Sequence, residues 1–139
     1  MAVESADTIV PFLLFVGEQH GKAEAAINFY VSLFPDSAIT HIERFGPDEH
    51  EREGTIKQAR FTLHGREHRA MESGLGHAFT FTPALSLFVT CTTEPELARL
   101  YEKLSADGAV LMPLDNYPFS RKYAWVQDRF GVSWQLNLP

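Results

Sequence analysis

Six histidines and a single cysteine are the side chains most able to do chemistry in this chain of 139 residues. His64 and His68 are four residues apart, a spacing that can hold a metal ion on a helix. Gly65 between them indicates a tight turn instead, so the two imidazoles are not predicted to share an ion. Cys91 alternates with Val89 along a strand-like run, which favours a small buried hydrophobic side chain over a nucleophile.

Composition and charge narrow the classes of partner. The chain has 12 basic and 18 acidic residues and a net charge of −6, so it shows none of the basic patches that nucleic-acid binding needs. Its 45% hydrophobic content is that of a globular domain, and no apolar run approaches the roughly 20 residues that cross a bilayer. The acidic N-terminus is unlike a secretion signal, and one cysteine allows no internal disulfide. We therefore expect a cytoplasmic protein whose partners are small organic molecules or a second copy of itself.

Two segments have the spacing of amphipathic helices, and each must place one apolar face against a sheet. The first apolar stripe ends before Pro35 and consists of Ala23, Ala26, Ile27, Tyr30 and Phe34. The second consists of Leu97, Leu100, Tyr101 and Leu104. Thr93 and Glu96 ahead of the second stripe have the spacing of a capping box, and Gly108 follows its end.

The remaining sequence predicts eight strands. Their approximate bounds are 8–16, 38–45, 55–64, 67–73, 84–92, 109–114, 122–128 and 132–138. The apolar runs at 12–16 and 85–89 are each followed by a helical stretch and another strand, which indicates a duplicated βαβββ unit. Chance similarity is the alternative explanation. The predicted fold class is α+β, with the helices on one face of the sheet, and the connectors 46–54 and 113–121 are candidate rims of a pocket.

Several segments resemble the PhnB-like proteins, a branch of the vicinal oxygen chelate superfamily that also includes glyoxalase I, bleomycin-resistance proteins and extradiol dioxygenases. These segments are Phe12–Phe15, Ala23–Tyr30, Ser32–Phe34, Val110–Leu114 and, most specifically, Trp125–Leu136. The resemblance implies one domain over 1–139, made of two βαβββ modules whose mixed sheet forms a cup with helices on its outer face. Module one covers about 7–73, a linker about 74–83 and module two about 84–139. It also implies a homodimer.

The resemblance also gives four positions at which metal-dependent relatives place ligands. They fall at Pro11, at Glu72 within Met71–Ser73, at Ala84 and at Gln135. Only Glu72 offers a strong ligand, so neither a metal site nor another cofactor is expected. Relatives also carry the name 3-demethylubiquinone 3-methyltransferase, but no G-x-G-x-x-G loop occurs and Gly74–Gly76 is not followed by a helical pattern.

Strand alternation assigns residues to the inner face of the predicted cup. The predicted ligand-binding residues are Leu13, Phe15, Ser86, Phe88, Trp125, Gln135 and Asn137. Tyr123 is the alternative to Trp125, depending on strand register. Apolar walls with a few amides and hydroxyls suit a small organic ligand, although the same residues could form a packed interior.

The leading hypothesis is a protein that binds a small molecule without a metal ion. The alternative is an enzyme in which Glu72 transfers a proton while Gln135 and Asn137 hold a substrate oxygen. Metal-dependent lyase or dioxygenase chemistry and methyl transfer are further versions of the enzyme hypothesis. A dimer that binds no ligand is the third possibility.

Overall fold

The computed structural model describes residues 9–139, which form two compact units, residues 9–80 and residues 81–139. The first unit contains β1 (Phe12–Phe15), α1 (Ala23–Leu33), β2 (Ala38–Arg44), β3 (Ile56–Leu63) and β4 (Arg66–Glu72). The second unit contains β5 (Ser86–Thr90), α2 (Glu94–Ser105), β6 (Ala109–Tyr117), β7 (Ser120–Gln127) and β8 (Ser133–Leu138). The predicted beginnings of module one near residue 7 and of its first strand near residue 8 lie outside the described residues.

Both units have the same sheet topology. In the first unit the strand order is β1-β4-β3-β2, with β1 parallel to β4 and the other neighbours antiparallel. In the second unit the order is β5-β8-β7-β6, with the same arrangement of one parallel and two antiparallel pairs. Each unit is therefore a βαβββ module with a mixed sheet, and the predicted α+β fold class is confirmed. No helix in the described residues has the length and hydropathy required to span a bilayer.

The helices begin and end close to where their sequence signals predict. The hydroxyl of Thr93 accepts a hydrogen bond from the backbone N–H of Glu96 at 3.3 Å, and the Glu96 carboxylate accepts one from the backbone N–H of Thr92 at 2.9 Å. These two bonds satisfy N–H groups that the first turn of a helix leaves without a partner in the helix. The capping box predicted for α2 is thus confirmed.

The β3–β4 hairpin also has its predicted position. His64 and Gly65 both have positive φ, 51° and 74°, which is the geometry of a type I′ turn and matches the twist of the flanking strands. Because the chain reverses here, His64 and His68 are not on one helix, and His68 lies instead on β4, stacked on the Phe61 ring at 5.4 Å.

The prediction that residues 113–121 form a connector is wrong. Those residues extend β6 to Tyr117 and begin β7 at Ser120, so they form a hairpin with a two-residue turn. The pairing of β6 with β7 is interrupted by shifts of register around Met112 and Asp115. Such irregularities disrupt the alternation by which a strand is identified in a sequence, and Pro113 is tolerated because β6 lies at the edge of its sheet.

One face of each sheet is packed and the other is more accessible. In the first unit, α1 contacts β2, β3 and β4, and the buried apolar residues on the helix-facing side of the sheet include Leu13, Phe15, Ala59, Phe61 and Ala70. In the second unit, α2 contacts β6, β7 and β8, and the buried apolar residues on the helix-facing side of the sheet include Ala124, Val126, Trp134, Leu136 and Leu138. We call the opposite faces the first open face and the second open face.

Candidate functional site

The second open face carries a row of residues that crosses all four strands of its sheet. Phe88 on β5 is paired with Gln135 on β8. Gln135 is paired in turn with Trp125 on β7, and Trp125 with Met112 on β6. Because residues in register on neighbouring strands point to the same face, these side chains form a band of two aromatic rings, a thioether and an amide. Phe88 is 58% exposed, and Trp125 and Gln135 are half-buried.

The Gln135 amide is held by a neighbour on the same face. The Tyr123 hydroxyl donates a hydrogen bond to Gln135 Oε1 at 2.6 Å. Burial of the phenol, together with the nearby Tyr117, raises the pKa of Tyr123, so the hydroxyl keeps the proton that it donates. Among the described residues, neither the amide nitrogen of Gln135 nor the half-buried carboxamide of Asn137 has a hydrogen-bond partner. Two side-chain amides therefore present donors and an acceptor to this face.

A second hydrogen-bonded group fixes the indole of Trp125. The buried hydroxyl of Ser133 accepts a hydrogen bond from Trp125 Nε1 at 2.8 Å and shares another with the Ser86 hydroxyl at 2.7 Å. The polar edge of the indole is thereby satisfied inside the sheet, and its ring orientation is set. Ser86 is accordingly part of the wall of the site through its bond to Ser133.

Aromatic rings at the β6–β7 hairpin support the same region. Tyr117 stacks on Phe119 with ring centroids 5.6 Å apart, and both rings meet the Tyr123 ring edge-on. The Tyr117 hydroxyl donates a hydrogen bond to the Pro113 carbonyl at 2.8 Å, which fixes the cluster to β6. Since Tyr123 also holds Gln135, the cluster positions the amide indirectly. The sequence prediction missed this cluster because it interpreted the hairpin as a connector.

Five of the seven predicted ligand-binding residues lie together on the second open face: Ser86, Phe88, Trp125, Gln135 and Asn137. The structure also places both Tyr123 and Trp125 there, since they are two residues apart on β7.

Leu13 and Phe15 lie on the opposite face from the one predicted for them. They are 4% and 0% exposed, and their register places them beside Ala70 and Glu72 on the packed face of the first sheet. The side chains of β1 that reach the first open face are Phe12 and Leu14. The physical reason is that α1 needs a continuous apolar surface beneath it, and Leu13 and Phe15 supply part of it.

Glu72 is 2% exposed, and its carboxylate is occupied by the backbone. One carboxylate oxygen accepts the N–H of Ile56 at 2.8 Å, and the other accepts the N–H of Gly21 in a short hydrogen bond. These bonds connect the end of β4 with the start of β3 and with the segment before α1, which is a structural role. A catalytic role for Glu72 stays a prediction.

The donor set does not fit the metal site that the resemblance implies. Pro11 and Ala84 have no donor side chain, and the oxygens of Glu72 and Gln135 already accept the hydrogen bonds described above. Within residues 9–139, no three His, Cys, Asp or Glu side chains are close enough to hold an ion together. These donor groups therefore do not support a metal-dependent reaction at this position.

Sequence reasoning also missed the charged residues of the first open face. Arg60 on β3 is paired with Arg69 on β4, and His41 on β2 is paired with Arg60, so the three basic side chains lie in one row. The sequence does contain a signal for them. Arg60 stands between Ala59 and Phe61, and Arg69 precedes Ala70, so polar and buried apolar residues alternate along both strands.

Cys91 has the environment predicted for it. It is 1% exposed, and burial, reinforced by the neighbouring Glu96 carboxylate, raises its thiol pKa to about 12. The thiolate needed for nucleophilic chemistry is therefore strongly disfavoured.

Comparison with known proteins agrees with this architecture. The chain matches the family model described as 3-demethylubiquinone-9 3-methyltransferase over residues 7–137. It is similar to a solved structure from Bacillus cereus described as a 3-demethylubiquinone-9 3-methyltransferase, PhnB protein. That similarity has 50% identity and a TM-score of 0.90, and it covers 96% of this chain and 100% of the other.

More distant structures share the fold. A protein from Pseudomonas aeruginosa is 25% identical, with a TM-score of 0.79 over 94% of this chain and 96% of its own. The genomically encoded fosfomycin resistance protein FosX from Listeria monocytogenes is 11% identical, with a TM-score of 0.60 over 96% of this chain and 94% of its own, and that likeness shows the fold alone. Among curated proteins, no significant match to the chain is found.

Proposed function

Since the chain belongs to the 3-demethylubiquinone-9 3-methyltransferase family, in the PhnB-like branch of the vicinal oxygen chelate superfamily, we propose that it binds a small organic molecule. The ligand lies on the second open face and is held without a metal ion. One observation carries the proposal: the Gln135 amide is fixed by Tyr123 with its nitrogen directed away from that bond, in a row between Phe88 and Trp125.

The residues of this face define the chemistry of the ligand. Phe88 and Trp125 offer flat apolar surfaces, and stacking of a planar ring on them removes apolar area from water. The amide nitrogens of Gln135 and Asn137 donate hydrogen bonds to a carbonyl or similar oxygen. The proposed ligand class is therefore a neutral, planar, partly apolar molecule that carries a carbonyl group.

Binding of benzamide, the simplest member of this class, tests the proposal. The chain has two tryptophans, so the indole N–H signals in a ¹H–¹⁵N NMR spectrum are assigned by comparing wild type with Trp125→Phe. We expect benzamide to shift the Trp125 signal saturably and to leave the buried Trp134 signal in place. Gln135→Leu should weaken binding by roughly tenfold or more, because the ligand oxygen loses its donor.

The matched control is Gln58→Leu, the same chemical change in the first unit. It should bind benzamide like the wild type. The proposal is overturned when benzamide produces no saturable shift of Trp125, or when Gln135→Leu and Gln58→Leu bind it equally well.

The enzyme hypotheses receive less support. Glu72 uses both carboxylate oxygens for backbone hydrogen bonds, and it lies on the packed face of its sheet. For methyl transfer, neither sheet has the doubly wound parallel order at whose strand ends nucleotides commonly bind. For these reasons the methyl transfer in the family's name is not part of the proposed function of this chain.

We also propose a homodimer located in the cytoplasm. The edge strand β6 exposes Val110 and Leu111, 46% and 38% exposed, and a second copy of the chain is the partner expected to cover them. Native mass spectrometry of freshly purified protein should show twice the monomer mass and no bound metal. A monomer, or a stoichiometric transition metal, contradicts the corresponding part of the proposal.

A further inference from the structure

The first open face concentrates basic side chains on neighbouring strands. Arg60 and Arg69 stand directly opposite each other in the antiparallel β3–β4 pair. His41 continues the row on one side and Phe12 on the other. Like charges in opposed positions of a ladder repel each other, so this arrangement favours an anion nearby.

A carboxylate already orients one of the two guanidinium groups. Arg69 Nε donates a hydrogen bond to Glu67 Oε2 at 2.7 Å, and the Glu67 side chain is only 8% exposed. Because a guanidinium group is planar and rigid, fixing its Nε edge also fixes the direction of its Nη edge. Glu43, which is paired with Gln58 on the same face, lies 3.8 Å from His41 and 3.8 Å from Lys57.

Apolar side chains adjoin the arginines. Phe12, which is 51% exposed, is paired with Arg69, and Leu14 is paired with Met71 one step along the same strands. All four residues point to the first open face. A flat or aliphatic group can therefore lie beside the charged row.

We propose that Arg60 and Arg69 form an oxyanion-binding site for the carboxylate or phosphoryl group of an organic anion, whose apolar part contacts Phe12 and Leu14. Arginine suits this task because its parallel N–H groups bind two oxygens of one oxyanion at once. The inference goes beyond the proposed function, since it concerns the other unit and requires a charged ligand.

Benzoate and its neutral isostere benzamide separate this site from the one on the second open face. In ¹H–¹⁵N spectra that include the arginine Nε–H signals, we expect benzoate to shift the signals of Arg60 and Arg69 saturably. Benzamide should not shift them. Phenylphosphonate, compared with benzoate at equal ionic strength, shows which of the two oxyanions is preferred.

The variants Arg60→Lys and Arg69→Lys keep the charge but remove the forked geometry. Each should weaken benzoate binding by roughly tenfold, whereas Arg121→Gln on an exposed position of β7 should leave it unchanged. Because the two lysine variants are made separately, failure of one to fold leaves the other as the test.

Two results overturn the inference. One is that neither benzoate nor phenylphosphonate moves the arginine signals saturably. The other is that both lysine variants bind these anions as tightly as Arg121→Gln does. Either result leaves the proposed function intact if benzamide still shifts the Trp125 signal, and loss of the benzamide shift alone leaves the oxyanion site intact.

Discussion

Replacing Glu72 by glutamine should destabilise the protein far more than an ordinary Glu→Gln change does. The carboxylate is buried and accepts two backbone N–H groups, those of Ile56 and Gly21. A hydrogen bond to a charged group contributes about 1.5–3 kcal/mol to stability. In Glu72→Gln one oxygen becomes an NH₂ group, so one buried backbone N–H faces another donor and the remaining bond is to a neutral acceptor.

The expected loss in the free energy of unfolding is therefore roughly 3 kcal/mol. At roughly 3 °C per kcal/mol for a chain of this size, the melting temperature should fall by about 10 °C. Urea unfolding followed by circular dichroism measures the free energy, and amide hydrogen exchange should show faster exchange at Ile56 and Gly21.

Glu102→Gln is the control, because Glu102 is exposed on α2, and we expect a change within about 0.5 kcal/mol. If Glu72→Gln is as stable as Glu102→Gln, the structural role assigned to this carboxylate is refuted. Should the variant keep full stability and lose turnover of a substrate, the general-base hypothesis is the correct one.

Three further changes test other contacts of the fold. Asp128→Asn should cost roughly 3 kcal/mol in urea unfolding, because the buried carboxylate accepts the backbone N–H groups of Phe130 and Val132 and the indole N–H of Trp134, and the new NH₂ group cannot accept a hydrogen bond; a loss below about 1 kcal/mol contradicts this role. Cys91 should react with iodoacetamide at pH 8 about a thousandfold more slowly in the native protein than in urea, since its pKa is raised from 9.0 to about 12; equal rates would contradict its burial. Thr93→Ala should lower the stability of the protein by about 1 kcal/mol in a thermal melt, with Thr93→Ser restoring it.

The helices and the duplicated order of elements could be predicted from sequence because local signals determine them. The stripe from Ala23 to Tyr30 is buried in the structure, and Thr93 caps α2. The family motif at the C-terminus is also local, and the structure shows what Asp128 in it does: its carboxylate holds the β7–β8 turn and the Trp134 indole. The role of Asp128 in this motif is therefore to stabilise the fold.

The β6–β7 hairpin could not be predicted from sequence because its local signals are those of a loop. Pro113 and the paired aspartate and asparagine at Asp115 and Asn116 are typical of loops. They are accommodated in a strand because β6 lies at the edge of its sheet and its pairing is irregular. Edge position is a property of the assembled sheet, and no local pattern encodes it.

The face on which a strand's side chains lie could be predicted from sequence for β8 but not for β1. On β8, Trp134, Leu136 and Leu138 alternate with polar residues, so the face of Gln135 follows from the sequence. Residues Phe12–Phe15 of β1 are all apolar, and either face could pack against the helix. The alternation of the neighbouring β4 does not show which face of β1 is packed, because β4 buries the charged residue Glu72 on the packed face. That burial depends on two backbone N–H donors from distant segments of the first unit, so the face of Leu13 and Phe15 is decided by contacts that only the folded chain supplies.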